Sequence, residues 1–165
     1  MLWLPTAIVS LVGPRAFYDR FASRITVALN WQRLLSQPLP IESQSIESRQ
    51  ALGDLGLPWY VDGDGASCNF DVPGARRLTV REAVTLLDGP LKHRLDAVEE
   101  KAKELEPGST VALPAYSRGG EPILLDGCHR SLALMRAPGE IAVELSVIAG
   151  PDDPLLLADL LVPDA

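Results

Sequence analysis

Cysteine is scarce: the 165-residue chain has two, Cys68 and Cys128. Two cysteines build no disulfide framework, so a reducing, cytoplasmic setting is expected. Basic charge is also in short supply. Lys and Arg number 15 against 22 Asp and Glu, for a net charge of −7 and a pI near 4.8. Non-specific DNA binding rests on neutralising phosphates with Lys and Arg. This chain has only short basic clusters, so DNA is not expected as a partner. Long apolar runs are missing too. The opening "MLWLPTAIVSLVG" falls short of the roughly 18 apolar residues of a membrane span. It also lacks the basic n-region and small-x-small cleavage site of a secretory signal. It reads as a packed segment, and no membrane partner is expected.

The residues that are present suit a compact fold. Hydrophobic residues make up 47% of the chain and mean hydropathy is +0.11, enough for a real core in one domain, with or without an extension. Residues 15–35, "RAFYDRFASRITVALNWQRLL", space Phe17, Phe21, Ile25, Ala28 and Leu29 at helical intervals behind Gly13-Pro14. The arginines of this segment read as a solvated face. "SQPLPIESQSIESRQ" (36–50) is polar and broken by prolines, which predicts a linker or exposed loop. "LPWYVDGDGASCNFDV" (57–72) alternates around Asp-Gly, as a hairpin does. Asp62 and Asp64 lack the other ligands of a calcium loop, so a plain turn is expected there.

From residue 79 the signals sharpen. Thr79 and Glu82 have capping-box spacing and open a helix to about Leu87. Asp88-Gly89-Pro90 ends it. "LKHRLDAVEEKAKEL" (91–105) then places Leu91, Leu95, Val98, Ala102 and Leu105 on one helical face. "TVALPAYS", "RGGE" and "PILLD" predict a β-hairpin over 110–126, with Pro114 pointing to an edge or a bulge. A helix is expected over 129–136, a strand within 140–149, and a closing helix over 152–161 with Asp152 as its cap and Pro154 in its first turn. Strands and helices alternate, so the class is α/β (α+β).

The densest chemistry lies in "LLDGCHRSLALM" (124–135), which holds one of the two cysteines and one of the two histidines at a strand-to-helix turn. The first turn of such a helix presents unpaired backbone N–H groups and the positive end of the helix dipole, which together attract anions. Gly127 lets the backbone approach a ligand closely. Arg130 offers a guanidinium fork suited to phosphate oxygens, Ser131 a hydroxyl, and His129 a group that can stack, donate or transfer a proton. Plainer alternatives stand beside these: Asp126 as a helix cap, Cys128 as a small core residue, and His129 as a satisfied structural histidine. At this helix start, beside His129 and Arg130, a Cys128 thiol is expected to have a lowered pKa.

"LLDGCHRSLAL" resembles the signature of the ParB/sulfiredoxin superfamily, in which a strand runs through D-G-x-H-R or G-G-C-H-R into a helix. The resemblance spans residues 76–150 and includes the helix "KHRLDAVEEKAKEL" before the hairpin. It implies a ParB/sulfiredoxin-like mixed small sheet with flanking helices. Residues 73–165 would form a nucleotide-binding domain, and residues 1–72 a helix-plus-hairpin extension packed on it. It also implies ATP or another nucleotide as cofactor, with Mg²⁺ bridging the phosphates and possible only through Asp126 on the protein side. Asp126, Cys128 and His129 become candidate catalytic residues. Gly127, Cys128, His129, Arg130 and Ser131 become candidate phosphate ligands, joined by Arg94, or by Lys92 in a shifted register. Where sulfiredoxins present a Ser and a Thr from the earlier helix, this chain has Ala97 and Lys101.

Two branches of the superfamily imply different chemistry. Gly127-Cys128-His129-Arg130 matches the sulfiredoxin tetrapeptide, which implies ATP-dependent reduction of a cysteine sulfinic acid by Cys128 in a peroxiredoxin partner. Asp126-Gly127-x-His129-Arg130 looks more like the ParB-like nucleotide binders, including free-serine kinases, which implies phosphoryl transfer to a small or protein-borne acceptor with Asp126 as base or metal-orienting group. A module that binds nucleotide or protein without turnover is the third expectation. ParB proteins proper carry a helix-turn-helix after this fold, and none is expected in the few residues after the last expected strand.

Overall fold

A computed structural model describes residues 8–37 and 39–157. The elements are β1 (Ile8–Val12), α1 (Pro14–Phe21), α2 (Trp31–Ser36), β2 (Ile41–Ile46), α3 (Arg49–Gly53), β3 (Gly56–Val61), β4 (Ser67–Cys68) and β5 (Arg76–Thr79). They continue with α4 (Val80–Thr85), a 3-10 turn (Lys92–Arg94), α5 (Leu95–Glu104), β6 (Val111–Arg118), β7 (Glu121–Leu124), α6 (Cys128–Arg136) and β8 (Val143–Ile148). The class is mixed α/β, as expected. One eight-stranded sheet runs β1-β2-β8-β6-β7-β3-β4, with β5 also on β3. Residues on both sides of position 72 share it: β2 pairs antiparallel with β8 over six registered positions, and β3 meets β7 in parallel at Gly56↔Ile123. Among the described residues, no helix is long and apolar enough to cross a membrane.

Period-2 alternation assigns side chains to two cores, one on each face of the sheet. Leu113 and Ala115 of β6 and Val143, Leu145 and Val147 of β8 join the larger cluster with α4, α5 and α6. Tyr116 and Ile148 point the other way, into the cluster holding Phe17, Phe21, Ile25 and Leu29. Several local signals hold. Thr79 accepts from the Glu82 backbone N–H at 3.2 Å while Glu82 accepts from that of Thr79 at 3.4 Å, so the capping box opens α4. Arg118-Gly119-Gly120-Glu121 closes the β6–β7 hairpin, β3 pairs with β4 around the Asp62 turn, and that turn is plain: Asp62 Oδ1 accepts from the N–H of Asp64 and of Ala66.

Four expectations need correction. Segment 15–35 is two helices, because the chain leaves the helix after Phe21, forms a bridge at Leu29, and Asn30 caps a new helix by accepting from Arg33 N–H at 3.0 Å. Segment 36–50 is not a loop. It supplies β2, whose Ser43 and Gln44 are buried between β1 and β8, and then α3. Pro114 sits in β6, an interior strand rather than an edge. Its carbonyl accepts from Leu125 N–H just past the end of β7, so its missing N–H lies on the flank where that ladder has stopped. Over 152–157 there is a turn and a bridge rather than a helix, with Asp153 rather than Asp152 accepting from Leu155 N–H. Residues 158–161 of that expected helix lie outside the described residues.

Candidate functional site

The turn from β7 into α6 is built as the sequence suggests. Gly127 takes φ +78° and ψ 21°, left-handed values, as the N-cap of α6, and no side chain caps that helix. A Cβ at Gly127 would stand 2.2 Å from Leu113 Cδ2, so glycine is required by backbone conformation and by space alike. The uncapped first turn opens into a cleft of about 490 Å³. Asp126, Gly127, Cys128, His129 and Arg130 line its floor, Pro58 and Trp59 of β3 one wall, and Arg24, Arg94 and Lys101 enter from three other elements. Among the described residues, four cationic side chains thus converge with a single carboxylate, in a chain of net charge −7.

The cations are not equivalent. Arg24 donates from Nε to Asp126 Oδ2 at 3.0 Å and from Nη2 to the Ala112 carbonyl at 3.2 Å, which fixes the carboxylate against the β6 strand. Lys101 pairs with Glu104 at 3.2 Å. Arg94 and Arg130 have no carboxylate partner among the described residues. Arg94 lies 3.8 Å over the Trp59 ring, and Trp59 and His129 rings are 5.2 Å apart. The Nε of Arg94 is buried without a hydrogen-bond partner. Its Nη1 lies 3.4 Å from His129 Nε2. Burial first, then the Arg94 and Lys101 charges, hold His129 below its ordinary value. A neutral imidazole can accept at Nε2 from Arg94 Nη1, while Arg94 Nε stays without a partner among the described residues.

Cys128 departs from the expectation of a lowered thiol pKa and follows the core-residue alternative. It is a buried core residue, and burial, seconded by Asp126, pushes its thiol up to about 12 despite the helix terminus and Arg94. Ser131 is fully buried and donates to the Gly127 carbonyl at 2.8 Å, so its hydroxyl bonds within the helix and does not line the cleft. Lys92 is exposed on the 3-10 turn and outside the cleft. Buried Leu91 anchors that turn, which brings Arg94 to the floor instead. Asp126, Gly127, His129, Arg130 and Arg94 therefore come together, with the Cys128 backbone.

Sequence reasoning missed Arg24, Trp59 and Lys101. By sequence Arg24 belongs to a solvated face, and nothing local separates it from its neighbours; its partner is 102 residues away. Trp59 follows Pro58 in a strand, an ordinary core position. Lys101 falls where the resemblance places a lost hydroxyl. As for a metal, Asp126 offers one anionic oxygen beyond its bond to Arg24, and no group of three or more His, Cys, Asp or Glu that could hold an ion occurs among the described residues. A Mg²⁺ ion would find in Asp126 a single protein ligand here, and its other ligands would have to come from phosphates or water. No family model matches the chain, and neither a curated protein nor a solved structure does.

Proposed function

We propose that this chain is a ParB/sulfiredoxin-like nucleotide-binding protein that transfers a phosphoryl group from MgATP to a small or protein-borne acceptor. The observation that carries the reading is the convergence of Arg24, Arg94, Lys101 and Arg130 on an uncapped helix start whose glycine cannot carry a Cβ. Phosphoryl transfer asks a protein mainly for positioning and charge stabilisation. The α6 N–H groups and Arg130 hold the terminal phosphates, Arg94 follows the chain along the Trp59 wall, and Asp126 takes the acceptor proton or orients the metal. Mg²⁺ neutralises phosphate charge when bound. The sulfinic acid reductase alternative requires a Cys128 thiolate, and a buried thiol pushed up to about 12 opposes it.

A second reading, a nucleotide-binding module without turnover, draws on the Arg24–Asp126 ion pair, which holds the one cleft carboxylate among the described residues away from a free base role. Calorimetry with ATP, ADP and CTP in Mg²⁺ should show micromolar to millimolar binding that Arg130→Ala removes. A screen of amino acids, nucleosides and peptides as acceptors should then give phosphorylated product that Asp126→Asn abolishes and Cys128→Ser retains. Binding without any product would establish the module instead, and no binding at all would end both readings.

A further inference from the structure

A second recess, of about 440 Å³, adjoins the phosphate cleft and shares with it Val27, Pro58, Trp59 and Arg94. Beyond that shared wall its lining changes. Ser67, Asn69, Phe70 and Asp71, from the β4 hairpin strand and the loop after it, replace Arg24, Lys101, Arg130 and the helix start. The volume is that of a small-molecule site. Its polar groups are unspent: the side chains of Ser67, Asn69 and Asp71 have no hydrogen-bond or ion-pair partner among the described residues. Asp126 and its Arg24 clamp stand only in the first cleft, and the recess groups only in the second.

Together these features give the combined site a direction. The uncapped α6 start, Arg130 and Lys101 stand only in the first cleft, beside Asp126, so the terminal phosphate belongs there. The other end of the ligand must pass Arg94, whose half-buried guanidinium lies on Trp59, and enter the recess. Resting on the nucleotide reading above, we infer that this recess holds the nucleoside of an adenine nucleotide. Phe70 offers a face for base stacking, and the Asn69 amide can pair with adenine as donor and acceptor at once. The Asp71 carboxylate accepts from two vicinal ribose hydroxyls, and Ser67 adds a hydroxyl beside it.

Calorimetry on the full chain with MgATP, MgGTP, magnesium tripolyphosphate and 2′,3′-dideoxy-ATP tests this. ATP should bind about tenfold or more tightly than GTP or tripolyphosphate, the discrimination expected of one bidentate amide–adenine pair. Asn69→Ala should erase the preference for ATP over GTP and leave tripolyphosphate binding unchanged. The weaker binding of the dideoxy compound should become equal to that of ATP in Asp71→Ala. Both side chains are exposed, so these variants should keep the wild-type melting temperature. Equal affinities for ATP, GTP and tripolyphosphate, with Arg130→Ala weakening all three, would overturn the nucleoside recess while the phosphate cleft stands. A preference for GTP would overturn the adenine assignment. Failure of both ATP and tripolyphosphate to bind would remove the phosphate cleft and this recess together.

Discussion

Replacing Gly127 by Ala joins the fold and the site in one measurement. The left-handed φ of +78° costs a residue with a Cβ about 1–2 kcal/mol. The methyl would also stand 2.2 Å from Leu113 Cδ2, and Leu113 is fully buried, so it cannot swing aside without disturbing the core. Overpacking of that kind costs about 1–3 kcal/mol, which gives a total near 2–5 kcal/mol with the backbone term. At a urea dependence of about 2 kcal/mol/M, the midpoint of tryptophan-monitored unfolding should drop by about 1–2.5 M. A double-mutant cycle separates the two causes. Leu113→Ala alone should cost about 2–5 kcal/mol, but in its background Gly127→Ala should cost only the left-handed share. A midpoint shift below about 0.3 M, or strict additivity in the cycle, would refute the steric argument.

The pH dependence of stability follows from His129. Its pKa is held below the ordinary 6.5 by burial and by Arg94, Lys101 and His93 against the opposing pull of Asp126. The unfolded chain therefore takes up the proton first. The contribution is complete above about 6.5 and is lost as pH falls from there through the lower folded value. Urea midpoints at pH 7.5 and 5.5 should differ more in wild type than in His129→Gln, and equal differences would show that His129 is not the group. Cys128, buried with its thiol pushed up to about 12, should resist iodoacetamide in the native state at pH 7.5 and react once urea unfolds the chain. The less buried Cys68 should react first. Rapid native alkylation of Cys128 would contradict the burial and restore the thiolate reading.

Residues that act on near neighbours announced themselves. Thr79 and Glu82 satisfy each other across three positions, Gly119 and Gly120 supply the positive φ of a tight hairpin, and Asp126-Gly127 turns a strand into a helix. Each of these depends on local backbone chemistry that any chain with those residues would share. Polarity without context misled elsewhere. Ser43 and Gln44 look like loop residues until β1 and β8 flank them and the sheet satisfies their backbone. The same holds for the site. Its floor was legible in Asp126, Gly127, His129 and Arg130, yet Arg24 reaches Asp126 across 102 residues and Trp59 meets His129 only because β3 lies beside β7. The thiol of Cys128 shows the division most plainly. Its place at a helix start was visible in the chain, but the pKa depends on how much water the finished core excludes, and that burial overrides the dipole.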